Sequence, residues 1–228
     1  MEYIDNIKEI KFLKICVWNV NLWYNIVEVI TMIQSKLTQI FENNNGVLTT
    51  KMANEYGIND STLRKAVERK DIQKYSRGIY FLEDTYFDDL YLLQLKYTKG
   101  IYSHETAVML HWLSTNYPFV YHVSFPRGYH LFNAKEQNIK PYYVEKSELE
   151  DEYIETIDSW DSNPLRVTNI EKTIIDILRL KNPTPGLVDE MLGDYLNREN
   201  KNIKRLMEYG KKFNVEKILD ERILTIAK

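Results

Sequence analysis

The sequence contains very little cysteine, with Cys16 as the single example among 228 residues. One thiol cannot form an intrachain disulfide, so disulfide-stabilised secreted domains are excluded and a reducing cytoplasm is the expected location. Glycine and proline are also scarce, at eight and six residues, which excludes collagen-like and low-complexity chains. The hydrophobic share of 44% instead suits one large or two small domains with a real core.

Long apolar runs are missing as well, so the sequence predicts no membrane-spanning helix and no membrane partner. The most apolar stretch, residues 10–33, is interrupted by lysines, asparagines and a glutamate. It lacks the clean apolar core and the small-residue cleavage site of a signal peptide. Residues 1–31 are therefore interpreted either as an accessory helical extension or as a segment upstream of a natural start at Met32.

The charge is unevenly distributed along the chain. The whole protein has a net charge of −3, whereas residues 61–80 carry six basic and two acidic side chains, for a local net charge of +4. Residues 83–228 have a net charge of −5. A short basic segment beside an acidic remainder favours local contact with nucleic acid, and the alternative is an ordinary solvated helix face.

Residues 32–84 are predicted to form a winged helix-turn-helix. Apolar residues recur at helical spacing, a short helix ends at Gly57, and another helix runs to about Lys70. Two strands follow, joined by a turn in which Gly78 supplies the positive φ that a hairpin needs. The strands are expected at residues 72–75 and 79–82. In this architecture the second helix of the pair enters the major groove of DNA.

The basic cluster falls on that second helix and on the hairpin. We therefore predict that these residues bind DNA: Ser61, Thr62, Arg64, Lys65, Arg69, Lys74 and Arg77. Arginine and lysine can reach base edges or phosphates from a helix in the major groove. A helix-turn-helix can also serve as a protein-docking module, and this remains the alternative.

The remainder, residues 85–228, is predicted to be a mixed α/β domain with a helical tail that starts near Pro185. The fold class is therefore α+β, with a domain boundary near residues 82–89. The chain shows no internal repeat and no disordered linker.

Several short motifs resemble the AbiEi family of antitoxins from type IV, or AbiE, toxin–antitoxin and phage-abortive systems. The resemblance runs from about Met32 to Leu180. The motifs are Gly46-Val47-Leu48-Thr49-Thr50, Gly57-Ile58, Ser61-Thr62-Leu63-Arg64, Arg77-Gly78-Ile79-Tyr80, Ser103-His104-Glu105-Thr106-Ala107, Arg127-Gly128 and Glu171-Lys172-Thr173-Ile174-Ile175-Asp176. Each motif alone is weak, and their order and spacing together carry the resemblance.

The resemblance implies two roles. The first is autorepression of the operon through binding of the winged helix to double-stranded operator DNA, with inverted repeats expected. The second is neutralisation of a nucleotidyltransferase toxin, which would require the C-terminal domain, residues 85–228. Direct contact between the two proteins stays open, because antitoxins of this type are not generally expected to form a stable complex with the toxin.

The sequence predicts no catalytic residues, no cofactor and no metal. His104 and His111 are seven residues apart in a predicted helix, but no zinc-ligand spacing accompanies them. Eight carboxylates between Glu145 and Asp161 could bind a metal or mimic nucleic acid, although such runs are more often solvated surface. The alternatives to an antitoxin are a protein-interaction inhibitor that does not bind DNA and, less favoured, a metal-dependent nuclease.

Overall fold

The computed structural model describes residues 36–83, 85–132 and 134–226. The predictions for residues 1–31, including the position of Cys16, lie outside the described residues. The chain divides into two compact units, with the boundary between Phe87 and Asp88. Helices and two separate β-sheets are present, which confirms the α+β class.

The described part of the first unit combines three helices with a small antiparallel sheet. Its described elements are α1 (residues 36–42), β1 (Val47–Thr49), α2 (Thr50–Glu55), α3 (Asp60–Glu68), β2 (Gln73–Ser76) and β3 (Ile79–Phe81). The strand order is β1-β3-β2, so β3 lies in the centre and β2 is an edge. This is the order of helices and hairpin that the sequence predicts.

The core of this unit forms where the apolar stripes of the helices meet the sheet. Phe41, Leu48, Ala53, Leu63 and Ala66 are completely buried. In α3, Leu63 and Ala66 are three residues apart and therefore lie on the same side of the helix. The polar residues of α3 are consequently left on the opposite, exposed side.

Two helix ends in this unit have the same hydrogen-bond pattern but different residues at the critical position. After α2, Gly57 adopts a φ of 76°, and the amide of Ile58 donates to the carbonyl of Ala53 at 2.9 Å. After α3, Lys70 adopts a φ of 64°, and the amide of Asp71 donates to the carbonyl of Ala66 at 2.9 Å. Glycine is the preferred residue in this left-handed position because it has no Cβ.

Replacing Lys70 with glycine is therefore expected to stabilise the first unit by about 0.5–1 kcal/mol. The steric strain that glycine relieves at a positive φ is larger than the additional conformational entropy that glycine loses on folding. Gly57→Ala at the equivalent position is the matched reverse change and should destabilise the unit. Hydrogen exchange of the α3 amides measures both effects. Equal stability of Lys70→Gly and the wild type would show that the left-handed lysine is not strained.

The hairpin between β2 and β3 is anchored to the start of α2. Ser76 pairs with Ile79 across the turn, and Gly78 has a φ of 78°. The carbonyl of Gly78 accepts a hydrogen bond from the Thr50 amide at 2.8 Å. β2 begins and ends one residue later than predicted, whereas β3 begins at Ile79 as predicted and ends one residue earlier.

The second unit is built around a mixed five-stranded sheet of order β6-β5-β4-β8-β7. Its strands are β4 (Ile101–Tyr102), β5 (Tyr121–Pro126), β6 (Ile139–Val144), β7 (Ile154–Asp158) and β8 (Pro164–Thr168). The pairs β4–β8 and β5–β6 are parallel, and the other two pairs are antiparallel. Two short 3₁₀ segments, Lys146–Leu149 and Asp151–Tyr153, precede β7.

The described part of the second unit also contains six α-helices. They are α4 (Asp89–Lys96), α5 (His104–Leu110), α6 (Ile170–Leu178), α7 (Leu187–Asn197), α8 (Ile203–Lys212) and α9 (Glu216–Ile226). The last three are the helical tail predicted from the sequence, and their apolar residues share one core cluster with α6. All residues of α6 after Ile170 are buried, so charged side chains on this helix require partners inside the protein.

None of the helices in the described ranges is both long and apolar enough to span a bilayer.

Candidate nucleic-acid interface

The exposed side of α3 carries a mixed set of polar side chains. Ser61, Arg64, Lys65 and Glu68 are all exposed and lie opposite the buried side of the helix. Their spacing of three and four residues places them on one side of a helix. This surface, Ser61-Arg64-Lys65-Glu68, is referred to below as the outward face of α3.

The start of α3 is held by a single side-chain oxygen. Asn59 is the N-cap residue, and its Oδ1 accepts hydrogen bonds from the Thr62 amide at 2.9 Å, the Ser61 hydroxyl at 2.6 Å and the Thr62 hydroxyl at 3.0 Å. Asn59, Asp60 and Ser61 are all residue types that can cap a helix, and in the structure the cap is Asn59. Both hydroxyls in the predicted DNA-binding set are thus tied to the cap.

The basic residues of the predicted set differ in their partners. Arg69 forms an ion pair with Asp71, with 2.8 Å between Nε and Oδ2. The Nε of Arg64 lies 3.4 Å from the Asp60 carbonyl oxygen, to which it donates. Within the described ranges, no carboxylate lies at ion-pair distance from these four exposed cations: Arg64, Lys65, Lys74 and Arg77. Their positive charges are therefore open to an external anion.

The hairpin carries the other two predicted contacts. Lys74 lies on the exposed edge strand β2, and Arg77 lies in the turn next to Gly78. Both side chains are exposed. The hydrogen bond from the Thr50 amide to Gly78 ties this turn to α2, so the hairpin belongs to the same folded unit as α3. The seven predicted residues thus occupy one helix with its C-terminal cap and one hairpin.

Three polar residues near this surface have no place in the predicted set. Asp60 and Glu68 are exposed carboxylates at the two ends of α3. Asn59 controls the hydroxyls next to it. Asp60 and Glu68 each lie four residues from Arg64, so helical spacing alone indicates that they are near this surface. The role of Asn59 can be recognised only from interatomic distances.

Two buried histidines of the second unit, His104 and His122, lie close together, with ring centroids 6.4 Å apart, and both contact Tyr142. His104 contacts the Ser103 hydroxyl at 2.9 Å, whereas His111 lies beyond the end of α5, and its Nε2 donates to the Thr168 carbonyl at 2.7 Å. Burial lowers the pKa of His104, and lowers those of His111 and His122 to about 4. No group of potential ligands suited to holding a metal occurs in the part of the chain that the structure describes.

Three of the eight carboxylates in the acidic stretch form ion pairs with lysine or arginine: Glu145 with Arg127, Glu148 with Lys172 and Arg179, and Glu152 with Lys212. Glu155 lies 3.7 Å from the Nε2 of His111, which burial keeps neutral near pH 7. Carboxylates that face cations of their own chain are poorly placed to mimic the free charge of a nucleic acid. This arrangement favours the interpretation of the stretch as structural and solvated surface.

Comparison with known proteins bears on the first unit. Residues 35–82 match the family model described as "Transcriptional regulator, AbiEi antitoxin". The resemblance to AbiEi antitoxins is confirmed for this segment. The AbiEi match contains α3, the hairpin and all seven predicted contact residues.

The crystal structure of the RV2827C protein from Mycobacterium tuberculosis is similar over 77% of this chain and 70% of that chain, with 13% identity and a TM-score of 0.49. No curated protein matches the chain.

Proposed function

We propose that the protein is a DNA-binding regulator of the AbiEi type and not an enzyme, and that residues 32–84 form a winged helix-turn-helix. In this proposal α3 is the recognition helix and the β2–β3 hairpin is the wing. The observation that carries it is the set of exposed cations on α3 and the hairpin that have no carboxylate at ion-pair distance among the described residues, within the segment that matches the AbiEi regulators.

The physical argument rests on where these cations lie. A helix fits the major groove of B-DNA, where arginine and lysine contact guanine edges or phosphates. Arg64 and Lys65 lie on the outward face of α3, one turn after its start, and residues in this part of a recognition helix reach the bases. Lys74 and Arg77 would contact the neighbouring phosphates from the wing, and Arg69 would join them by exchanging Asp71 for a phosphate.

The same proposal assigns the rest of the family role. The protein would act as a cytoplasmic antitoxin that binds its own operator, with residues 85–228 neutralising a nucleotidyltransferase toxin. The family description supports the antitoxin and regulator roles. The toxin and the division of labour between the two domains rest on the resemblance alone.

Mobility-shift titrations with the DNA upstream of the coding sequence test the interface. Arg64→Ala is expected to weaken binding by about 1–3 kcal/mol and to relax specificity, because a base contact is lost. Arg77→Ala should lower the slope of log affinity against log salt by about one, because one phosphate contact is lost. The exposed residue Lys217 lies in the second unit, and Lys217→Ala is the control for loss of a surface charge.

Growth rescue distinguishes the two proposed roles. Full-length Arg64→Ala/Arg77→Ala protein should fail to repress its promoter and still rescue cells that express the neighbouring nucleotidyltransferase from a foreign promoter. Unchanged DNA binding by both single variants would remove α3 and the hairpin as the interface.

A further inference from the structure

The Ser61 hydroxyl donates its hydrogen to the cap of α3. The Asn59 oxygen that Ser61 contacts at 2.6 Å also accepts the Thr62 amide at 2.9 Å. An amide N–H can only donate, so this atom of Asn59 must be the oxygen and not the nitrogen of the carboxamide. The oxygen has no hydrogen to give, and the Ser61 hydroxyl is therefore the donor.

This bond uses the only hydrogen that Ser61 can donate. The Thr62 hydroxyl is committed in the same way, at 3.0 Å from the same oxygen, but Thr62 is half-buried. Ser61 is exposed and lies on the outward face of α3, so its Oγ presents lone pairs to a bound duplex. A serine hydroxyl ordinarily suits donors and acceptors alike, and here the hydrogen bond to the cap favours Ser61 as an acceptor toward DNA.

An oxygen that can only accept cannot bond to a phosphate, since phosphate oxygens are acceptors too. In the major groove the donors on base edges are the exocyclic amines, N6 of adenine and N4 of cytosine. Guanine and thymine present acceptors and a methyl group at those positions. The Oγ of Ser61 is therefore matched to adenine or cytosine.

We propose that Ser61 reads an exocyclic amine of adenine or cytosine in the operator, and that Asn59 is the positioning residue that gives Ser61 this preference. The inference rests on the proposed function, because it requires α3 to lie in the major groove. It adds to that function a base class at one operator position, together with the atom that selects it.

The neighbouring side chains also favour contact with base edges over contact with phosphates. Asp60, the first residue of α3, is an exposed carboxylate that also only accepts hydrogen bonds, and it would be repelled by phosphate. Arg64 lies one turn further along and only donates. The start of α3 therefore offers acceptors, and the next turn offers a donor, which fits base edges better than a uniform row of phosphates.

The test removes single amines from the DNA. An operator is first selected from synthetic duplexes with a randomised core of about 20 base pairs, roughly two helical turns. Each adenine is then replaced by purine and each cytosine by 2-pyrimidinone, one position at a time. Wild-type protein should lose about five- to tenfold in affinity at one such position in a half-site, the effect of one hydrogen bond. Ser61→Ala should bind the unmodified operator more weakly by the same factor and be insensitive to amine removal at that position.

Two substitutions of Asn59 test its positioning role. Asn59→Asp keeps an acceptor for the Ser61 hydrogen, so the preference for the amine at that position should persist even if the added charge lowers affinity for every duplex. Asn59→Gly frees the hydrogen and changes helix stability by only a few tenths of a kcal/mol. For the Asn59→Gly variant, the ratio of affinities for amine-bearing and carbonyl-bearing bases at that position should fall to about twofold or less. A residue with only a structural role would leave this ratio unchanged.

The outcomes separate this inference from the proposed function. Failure of the wild-type protein to bind any duplex would overturn the proposed function. Binding that weakens in Arg64→Ala, together with equal sensitivity of wild type and Ser61→Ala to every removed amine, would overturn the reading by Ser61 and leave the DNA-binding function in place. An unchanged base preference in Asn59→Gly would remove Asn59 from the proposal.

Discussion

Replacing Lys172 with alanine is expected to destabilise the second unit by about 3–5 kcal/mol, because it leaves a buried carboxylate without its main cation. Natural domains have a total stability of about 5–15 kcal/mol, so a large part of it would be lost. Hydrogen exchange of the α6 amides measures this change, since these amides lie in the core of the unit.

The geometry around Lys172 explains the size of this effect. Its side chain is 2% exposed, and its Nζ forms a short ion pair with Asp176, one turn later on α6. Glu148 lies 3.5 Å from the same Nζ, and the ring centroid of Phe213 lies 4.7 Å away. Burial raises the pKa of Asp176 even though Lys172 opposes that shift. The lysine is thus the main group that keeps a buried charge tolerable.

Two further variants make this prediction specific. Lys204→Ala is the matched control, because Lys204 is 87% exposed and its pair with Glu208 is at the surface; about 0.5 kcal/mol or less is expected. The double variant Lys172→Met/Asp176→Val removes both charges together and should recover most of the stability. The pair between Glu148 and Arg179 remains in that variant. A double variant as unstable as Lys172→Ala would show that packing, rather than the unpaired charge, determines the loss.

The first unit could be predicted from the sequence because its signals are local. The spacing of Leu63 and Ala66 sets the buried side of α3, and Gly57 and Gly78 mark the turns. The cap of α3 could not be assigned, because Asn59 and the two residues after it are all good capping residues. The backbone decides it: Asn59 is extended, with a φ of −86°, whereas Asp60 is already helical.

The candidate site was only partly accessible to the same reasoning. Helical spacing is enough to place Arg64 and Lys65 on an exposed side. The donor role of the Ser61 hydroxyl depends on a distance of 2.6 Å to Asn59, which no residue pattern encodes. The ionic cluster on α6 is similar: the spacing of Lys172 and Asp176 is visible in the sequence, but Glu148 is brought to them only by the tertiary fold.

Lowering the pH from 7 to 5 is expected to destabilise the second unit by about 2 kcal/mol for each of His111 and His122. Burial is the main cause that lowers their pKa values to about 4, whereas an unfolded histidine titrates near 6.5. The unfolded chain therefore binds protons first, and stability falls as the pH drops from 6.5 toward 4. His104 acts in the same direction, because burial holds its pKa well below the ordinary value.

The surroundings of the two histidines explain why protonation is unfavourable. The Nδ1 of His122 accepts a hydrogen bond from the Glu105 amide at 3.4 Å, and a proton on this atom would meet that donor. The charge of Lys140 also opposes it. His111 lies near Arg198, which lowers its pKa, and its bond to the Thr168 carbonyl only partly compensates for burial.

Carboxylates in the same unit change stability in other directions. Burial raises the pKa of Glu155 and Asp176, so these groups take up protons in the folded state and oppose the loss as the pH falls. For Glu148, burial alone would raise the pKa, but the Arg179 and Lys172 cations outweigh it and lower the pKa, so its contribution is lost only at more acidic pH. Between about pH 6.5 and 5, the change in the free energy of unfolding therefore comes mainly from the histidines.

Urea denaturation at several pH values measures this dependence, and variants locate it. His122→Gln should be less stable than the wild type at pH 7 but should lose about 2 kcal/mol less on going to pH 5, because one proton-binding site of the unfolded chain is gone. His130→Asn changes an exposed side chain and should keep the wild-type pH dependence. If His122→Gln were to lose as much stability as the wild type over this range, protonation of His122 could not be a cause of acid sensitivity. The decline over this range would then have to come from the other buried histidines, His111 and His104.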